Sequence, residues 1–152
     1  MTPSPATLRD RLAAFRARLT PRRLAFALAA LAAVLVFSTS HEVFPYHSLN
    51  HDEGVYLQQA AMLLEGKLSV TPPVPDAFRP WFFVADGSRL YPKYAPVPAA
   101  MFAAGELLGG YRLALAAVAA GCVGLLYATA AEAFDRRTGL VAAALLVASP
   151  LF

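Results

Sequence analysis

Three apolar runs separated by polar segments dominate the pattern of the chain. Residues 24–37 contain no charged residue, glycine or proline, and with the next three residues this run is long enough to cross a bilayer. A second run covers residues 113–131, and a third begins at residue 139 and continues to residue 152. The pattern predicts an all-α membrane protein with about three transmembrane helices.

The segment from residue 41 to residue 111 differs from these runs, because most of the prolines, aromatic residues and acids lie in it. Apolar positions recur at helical spacing from Asp52 to Glu65 and end at Gly66, which predicts a helix. Farther along, Asp86 and Gly87 predict a turn between short strands. We therefore expect a structured loop between the first two spans, and not a flexible linker.

Residues 96–108 form another apolar run, which is too short for a span. It has about 13 residues, and runs of that length are more often interfacial or buried helices. If it crossed the membrane, Arg136 and Arg137 would lie outside, whereas the positive-inside rule favours a cytoplasmic position for them. The sequence thus predicts a juxtamembrane helix, steeply tilted to the spans and on the same side as His51.

The basic N-terminal segment predicts the orientation of the chain. Six arginines precede residue 24, and such a cationic flank is typical of the cytoplasmic side of a plasma-membrane protein. Residues 1–23 are either an amphipathic helix on the anionic leaflet or a disordered tail. A cleaved signal peptide that ends near Ser38 and Ser40 is an alternative to a first transmembrane span. With either a span or a signal peptide, residue 41 onward lies outside.

These boundaries divide the chain into six segments. Because the last apolar run stops before it is complete, we expect the chain to be the N-terminal portion of a longer multi-pass protein. The segments are a basic tail (1–23), a first span (24–40), an external loop with juxtamembrane helices (41–111), a second span (112–131), a cytoplasmic turn (132–138) and the start of a third span (139–152).

Composition narrows the class of protein further. Hydrophobic residues make up 58% of the chain and charged residues 15%, which excludes intrinsic disorder and disfavours a small soluble domain. One cysteine excludes a disulfide framework and a cysteine-based metal cluster. The net charge is +3, but the arginines flank a span and do not alternate with aromatic residues, so no nucleic-acid partner is expected.

The first candidate for chemistry is the run His51-Asp52-Glu53, directly after the first span. Helix capping explains one acid, because Asp is a favoured N-cap and the helix dipole favours acids. Capping does not explain two adjacent acids and a histidine on an apolar loop beside the membrane, where a carboxylate is costly unless it is paired or used. Both interpretations, capping and catalysis, stay open from the residues alone.

The second candidate is the stretch from Tyr91 to Pro98, which contains Lys93 and Tyr94. Its prolines favour a rigid approach to a helix, so Lys93 is held as a point charge at the membrane surface. Such a lysine suits the phosphate of a lipid carrier, and a snorkelling lysine is the alternative. Arg79 and Arg89 are further phosphate-binding candidates, although solvated surface arginines are more common.

Taken in order, these features resemble the beginning of the GT-C membrane glycosyltransferases, in the branch of protein O-mannosyltransferases and aminoarabinose transferases. The resemblance covers residues 24–152. It is carried by the spacing and order of five motifs and not by any one of them. These motifs are Asp52-Glu53-Gly54-Val55-Tyr56, Lys93-Tyr94-Ala95-Pro96-Val97-Pro98, Arg112-Leu113, Arg136-Arg137-Thr138-Gly139 and the closing Ser149-Pro150-Leu151-Phe152.

The resemblance implies transfer of a sugar from a polyprenyl-phosphate donor to an acceptor hydroxyl on the outer face. It implies that Asp52 acts as general base, that Glu53 orients the acceptor or Asp52, and that Lys93 holds the donor phosphate. Tyr94 and His51, with Arg79 and Arg89, are the further substrate-binding candidates. No organic cofactor is expected and no metal ligand is assigned, with a divalent cation left open. The alternative is a non-catalytic membrane subunit whose external loop binds a partner.

Overall fold

The computed structural model describes residues 20–46, 51–74, 77 and 79–149, without the side chain of His51. Most of the predicted basic tail lies outside the described residues, as do His47, Asn50 and the final Pro150-Leu151-Phe152. Five helices and one hairpin occur in the described part. They are α1 (Pro21–Glu42), α2 (His51–Leu64), β1 (Phe83–Asp86), β2 (Arg89–Pro92), α3 (Val97–Leu107), α4 (Tyr111–Ala133) and α5 (Arg136–Val147).

Two of these helices are long and apolar enough to cross a membrane. Helix α1 has 22 residues and α4 has 23, and only 11% of the most apolar window of each is buried within the chain. The apolar runs 24–40 and 113–131 are therefore each part of one continuous helix, as predicted. Side chains such as Phe26 and Leu125 remain exposed, which is typical of helices whose surroundings are apolar.

The third apolar run forms a shorter helix than a span requires, so the prediction of about three spans is not confirmed. Helix α5 has 12 residues and a length of about 18 Å, against a hydrocarbon core of about 30 Å. The predicted turn over 132–138 is also shorter than expected, because only Phe134 and Asp135 separate α4 from α5.

The short connection works because Asp135 caps α5. Its carboxylate accepts hydrogen bonds from the backbone N–H of Arg137 at 2.8 Å and of Thr138 at 2.7 Å. These are donors that the first turn of a helix leaves unpaired. The backbone hydrogen bond from Thr138 is the main reason that the pKa of Asp135 lies below its usual value.

The chain divides into two compact units, each described here by itself. The central unit comprises Val34–Val118, and the terminal unit comprises residues up to Ala33 together with those from Ala119 onward. In the terminal unit, α5 packs closely on the end of α4 through Gly139. A Cβ at this position would lie 2.7 Å from the carbonyl oxygen of Tyr127 and 3.0 Å from the Cβ of Ala131, so only glycine permits the approach.

The central unit contains the loop that links the two long helices. Its first helix, α2, ends as predicted at Gly66, whose φ is +70°. The N–H of Gly66 donates to the carbonyl of Leu63 and that of Lys67 to the carbonyl of Met62, which is a Schellman motif. The predicted hairpin is also present, with Gly87 at φ +57° in the two-residue connection of β1 and β2.

Two apolar clusters hold the central unit together. One lies between α2 and the hairpin and consists of Val55, Met62, Phe83 and Leu90. The other joins α2 to α3 through Ala60, Ala99 and Ala103, whose small side chains allow the two helices to pack closely. The predicted helix over 96–108 is thus confirmed as α3, while its tilt and its side of the membrane stay predictions.

Arg112 connects the start of α4 to the end of α1 within the central unit. Its Nε donates to the carbonyl of Ser40 at 3.0 Å, and its Nη2 donates to the carbonyls of Phe44 at 3.2 Å and Pro45 at 2.6 Å. These carbonyls belong to the last turn of α1 and the residues after it. A cation at a helix C-terminus satisfies carbonyls that the helix leaves unpaired and favours the helix dipole.

Candidate functional site

The candidate site begins at the first turn of α2, where Asp52 and Glu53 lie. Both residues are half-buried. An N-terminal turn favours carboxylates, because its backbone N–H groups and the helix dipole stabilise negative charge. The predicted position of Asp52, near the start of the first helix after α1, is therefore observed.

Asp52 is hydrogen-bonded to a residue of the second predicted motif. The hydroxyl of Tyr94 donates to Oδ1 of Asp52 at 2.6 Å, across 42 residues of sequence. This hydrogen bond is the main reason that the pKa of Tyr94 is raised to about 12, with burial and the negative charge of Asp52 as further causes. The two motifs that the sequence singles out separately thus form one site.

A buried glutamine of α2 supports Tyr94, and it was not predicted from the sequence. Gln59 is 8% exposed, and its Nε2 donates to the backbone carbonyl of Tyr94 at 3.5 Å. Its Oε1 is buried without a hydrogen-bond partner in the described part of the chain. The available signal was spacing, because Asp52, Tyr56 and Gln59 follow at intervals of four and three and so share one face of α2.

Aromatic rings surround Tyr94. The ring centroid of Tyr94 lies 5.2 Å from that of Tyr56 and 5.7 Å from that of Phe82, distances at which aromatic pairs are favourable. Phe82 has φ +59° in the turn that the N–H of Phe83 closes on the carbonyl of Pro80. A bulky residue rarely adopts this conformation, and such strain is found preferentially at functional sites.

Lys93 lies over this aromatic group. Its Nζ is 4.6 Å from the ring centroid of Phe82 and 5.3 Å from that of Tyr94, within the range of cation–π attraction. Lys93 also lines a groove of about 420 Å³. The other lining residues include a second cation, Arg79, and the exposed indole of Trp81. The groove can therefore accept an anion together with an apolar group.

The remaining predicted site residues lie elsewhere or outside the described side chains. Arg89 is exposed on β2, opposite Asp86 of β1, and does not line the groove with Lys93. The side chain of His51 is not described. In the part of the chain that the structure describes, no three histidine, cysteine or acidic residues are grouped as a metal site would require.

Comparison with known proteins found no matching family model, curated protein or solved structure. The function of the chain is therefore inferred from its own residues.

Proposed function

We propose that the chain belongs to an integral membrane glycosyltransferase. It would move a sugar from a polyprenyl-phosphate donor to an acceptor hydroxyl on the outer face of the membrane. The hydrogen bond between Tyr94 and Asp52 is the observation that supports this proposal most. This hydrogen bond joins the acidic motif at the start of α2 to the lysine-containing motif before α3. A base and a phosphate-binding group must lie close together in this way to act on one substrate.

In this mechanism Asp52 removes the proton of the acceptor hydroxyl as its oxygen attacks the anomeric carbon. The bond from that carbon to the phosphate oxygen breaks, and the phosphate leaves with the electron pair. A base positioned beside the nucleophile typically contributes about 10²–10⁴-fold to the rate. With a pKa of about 12, Tyr94 keeps its proton at neutral pH, so it orients the Asp52 carboxylate and does not compete as a base.

Lys93 and Arg79 would hold the leaving phosphate. Both cations line the same groove, and charge placed where negative charge develops is among the strongest contributions to catalysis. The rings of Phe82 and Tyr94 fix the Lys93 ammonium, and the exposed Trp81 beside the groove suits the apolar chain of a lipid donor. Glu53 would orient the acceptor.

The proposal includes a topology. Helices α1 and α4 would cross the plasma membrane with the N-terminus in the cytoplasm, since six arginines precede the first apolar run. The loop between them, with Asp52 and Lys93, would then lie outside, and Arg136 and Arg137 inside. Cysteine labelling tests this: a probe at Gly110 should react from the outer side, and reaction from the cytoplasmic side alone would contradict the topology.

A transfer assay tests the activity. Native membranes that contain the protein should release polyprenyl phosphate and transfer radiolabelled sugar when they receive polyprenyl-phosphate-linked sugars, and Lys93→Gln should mainly raise the KM for the donor. No transfer from any such donor would contradict the proposal. It would favour the second candidate function, a partner-binding subunit, for which the 74% exposure of Trp81 and the 77% exposure of Leu107 and Leu108 are the supporting observations.

A further inference from the structure

A second cavity lies within the central unit, separate from the groove of Lys93. It has a volume of about 260 Å³ and lies beside the end of α1, the first turn of α2, α3 and the start of α4. We call it the aromatic cavity. Its lining residues are Ser40, Phe44, Glu53, Tyr56, Phe102, Tyr111 and Leu115.

The lining of the aromatic cavity favours a cation. Four of its residues carry aromatic rings, and the rings of Phe102 and Tyr111 form two nearly perpendicular walls, with centroids 5.9 Å apart and an angle of 79°. Ring faces attract cations, and aromatic cages recognise organic ammonium groups. Glu53 adds a carboxylate. Its several lone pairs can serve a ligand in addition to the contacts that Glu53 makes within the protein.

The charges around the cavity agree with this preference. The Arg112 guanidinium lies 4.9 Å from the Tyr111 ring centroid, so that ring already takes part in a cation–π contact. The Arg112 charge is directed at three backbone carbonyls. A second carboxylate, that of Glu106, accepts the backbone N–H of Tyr111 at 3.0 Å. Two acids and one engaged cation therefore leave the vicinity negative.

We infer that the aromatic cavity binds an organic ammonium group, with the Glu53 carboxylate as its counter-ion and aromatic rings around its carbon atoms. An anion is disfavoured by Glu53. A Ca²⁺ or Mg²⁺ ion is disfavoured because each needs about six or more oxygen ligands, whereas the lining is mainly aromatic. The inference does not depend on glycosyl transfer. The ammonium can come from a lipid head group or from a water-soluble amine, and both sources share this chemistry.

Calorimetry with an isosteric pair tests the inference. The purified protein, in a maltoside detergent that contains no ammonium group, is titrated with choline and with 3,3-dimethyl-1-butanol, which has the same shape without the charge. We expect choline to bind at least about tenfold more tightly, because cation–π attraction and the Glu53 carboxylate favour only the charged ligand. Equal affinities, or no binding of choline, would overturn the inference.

Amino-acid substitutions test whether choline binds in the aromatic cavity. Glu53→Gln and Phe102→Leu should each weaken choline binding about tenfold, and Glu53→Asp should retain most of it because the charge remains. The matched control Glu65→Gln alters an exposed acid paired with Lys67 and should change nothing. Unfolding temperatures are measured for every variant, and the comparison of Glu53→Gln with Glu53→Asp serves as the test if Phe102→Leu fails to fold. Choline binding that survives both Glu53→Gln and Phe102→Leu would also overturn the inference.

Vesicles distinguish the two sources of the ammonium. If the natural ligand is a lipid head group, phosphatidylcholine vesicles should compete with free choline, whereas phosphatidylglycerol vesicles should not. If the natural ligand is a water-soluble amine, choline should bind equally well in the presence of either kind of vesicle. Either result supports the ammonium site. Loss of sugar transfer in Asp52→Asn with intact choline binding would show that the ammonium site is independent of the catalytic proposal. Sugar transfer that persists where choline binding is lost would show the same.

Discussion

Different kinds of contact stabilise the inside of each of the two units of the chain. In the terminal unit, α4 and α5 are neighbours in sequence, and their contact depends on the absence of a side chain at Gly139. In the central unit, polar contacts between distant residues, such as Tyr94 with Asp52 and Arg112 with Ser40, add to the two apolar clusters. Close helix packing stabilises the terminal unit, whereas the polar contacts of the central unit position side chains such as that of Asp52.

This contrast predicts which substitutions affect stability most. Replacing Arg112 by Gln should lower the free energy of unfolding by about 1.5–3 kcal/mol, the typical contribution of hydrogen bonds to charged groups. The reason is that the carbonyls of Ser40, Phe44 and Pro45 lose a shared donor. Chemical denaturation in detergent measures the change. The matched control is Arg89→Gln on the exposed hairpin, which should stay within about 0.5 kcal/mol. Equal effects of the two variants would contradict the role of Arg112.

The second prediction concerns the terminal unit. Gly139→Ala should destabilise the protein by about 1–3 kcal/mol, because its Cβ would overlap the Tyr127 carbonyl and the helices would have to separate. Gly121→Ala on α4 is the matched control, since nothing lies within 4 Å of its Cβ, and helix propensity favours alanine by up to about 1 kcal/mol. Thermal unfolding by circular dichroism compares them. A Gly139→Ala variant as stable as Gly121→Ala would contradict the close packing.

A smaller effect is expected in the titration of Tyr94. Its hydrogen bond to Asp52 requires the neutral phenol, so the stability that it contributes is complete below pH 10 and is lost as the pH rises through about 12. The ultraviolet difference titration between the unchanged protein and Tyr94→Phe should show this late ionisation. Asp52→Ala should return the Tyr94 pKa toward 10. A Tyr94 that titrates near 10 in the unchanged protein would show that the hydrogen bond does not form.

The helices could be predicted from sequence better than the contacts between them, for a physical reason. Helices such as α1 and α4 follow from local apolar runs, and the end of α2 follows from Gly66. The third predicted span was not confirmed, because α5 ends at Val147 after twelve residues and residues 150–152 lie outside the described part. The extent of a helix at a chain end depends on context that periodicity does not contain.

The candidate site could be predicted only in part. Residue type identified Asp52 and Lys93, but the hydrogen bond between Asp52 and Tyr94 requires the packing of α2 on the segment before α3, which no local pattern encodes. Gln59 was missed because its burial depends on the packing of α2 against the segment that contains Tyr94, which the sequence of α2 alone does not show. The hairpin also separates Arg89 from Lys93, although the two residues are close in sequence.

The central claim is that Asp52 is a general base that Tyr94 orients. The most direct measurement is the rate of sugar transfer by the native protein and by Asp52→Asn, in the same membranes and at equal amounts of folded protein. Asparagine keeps the size and an acceptor for the Tyr94 hydroxyl, so the main change is the loss of the base. The account predicts a rate lower by about 10²–10⁴-fold, with a smaller loss for Tyr94→Phe. An Asp52→Asn variant that transfers sugar at a near-native rate would contradict it and leave Asp52 as a structural carboxylate in the first turn of α2.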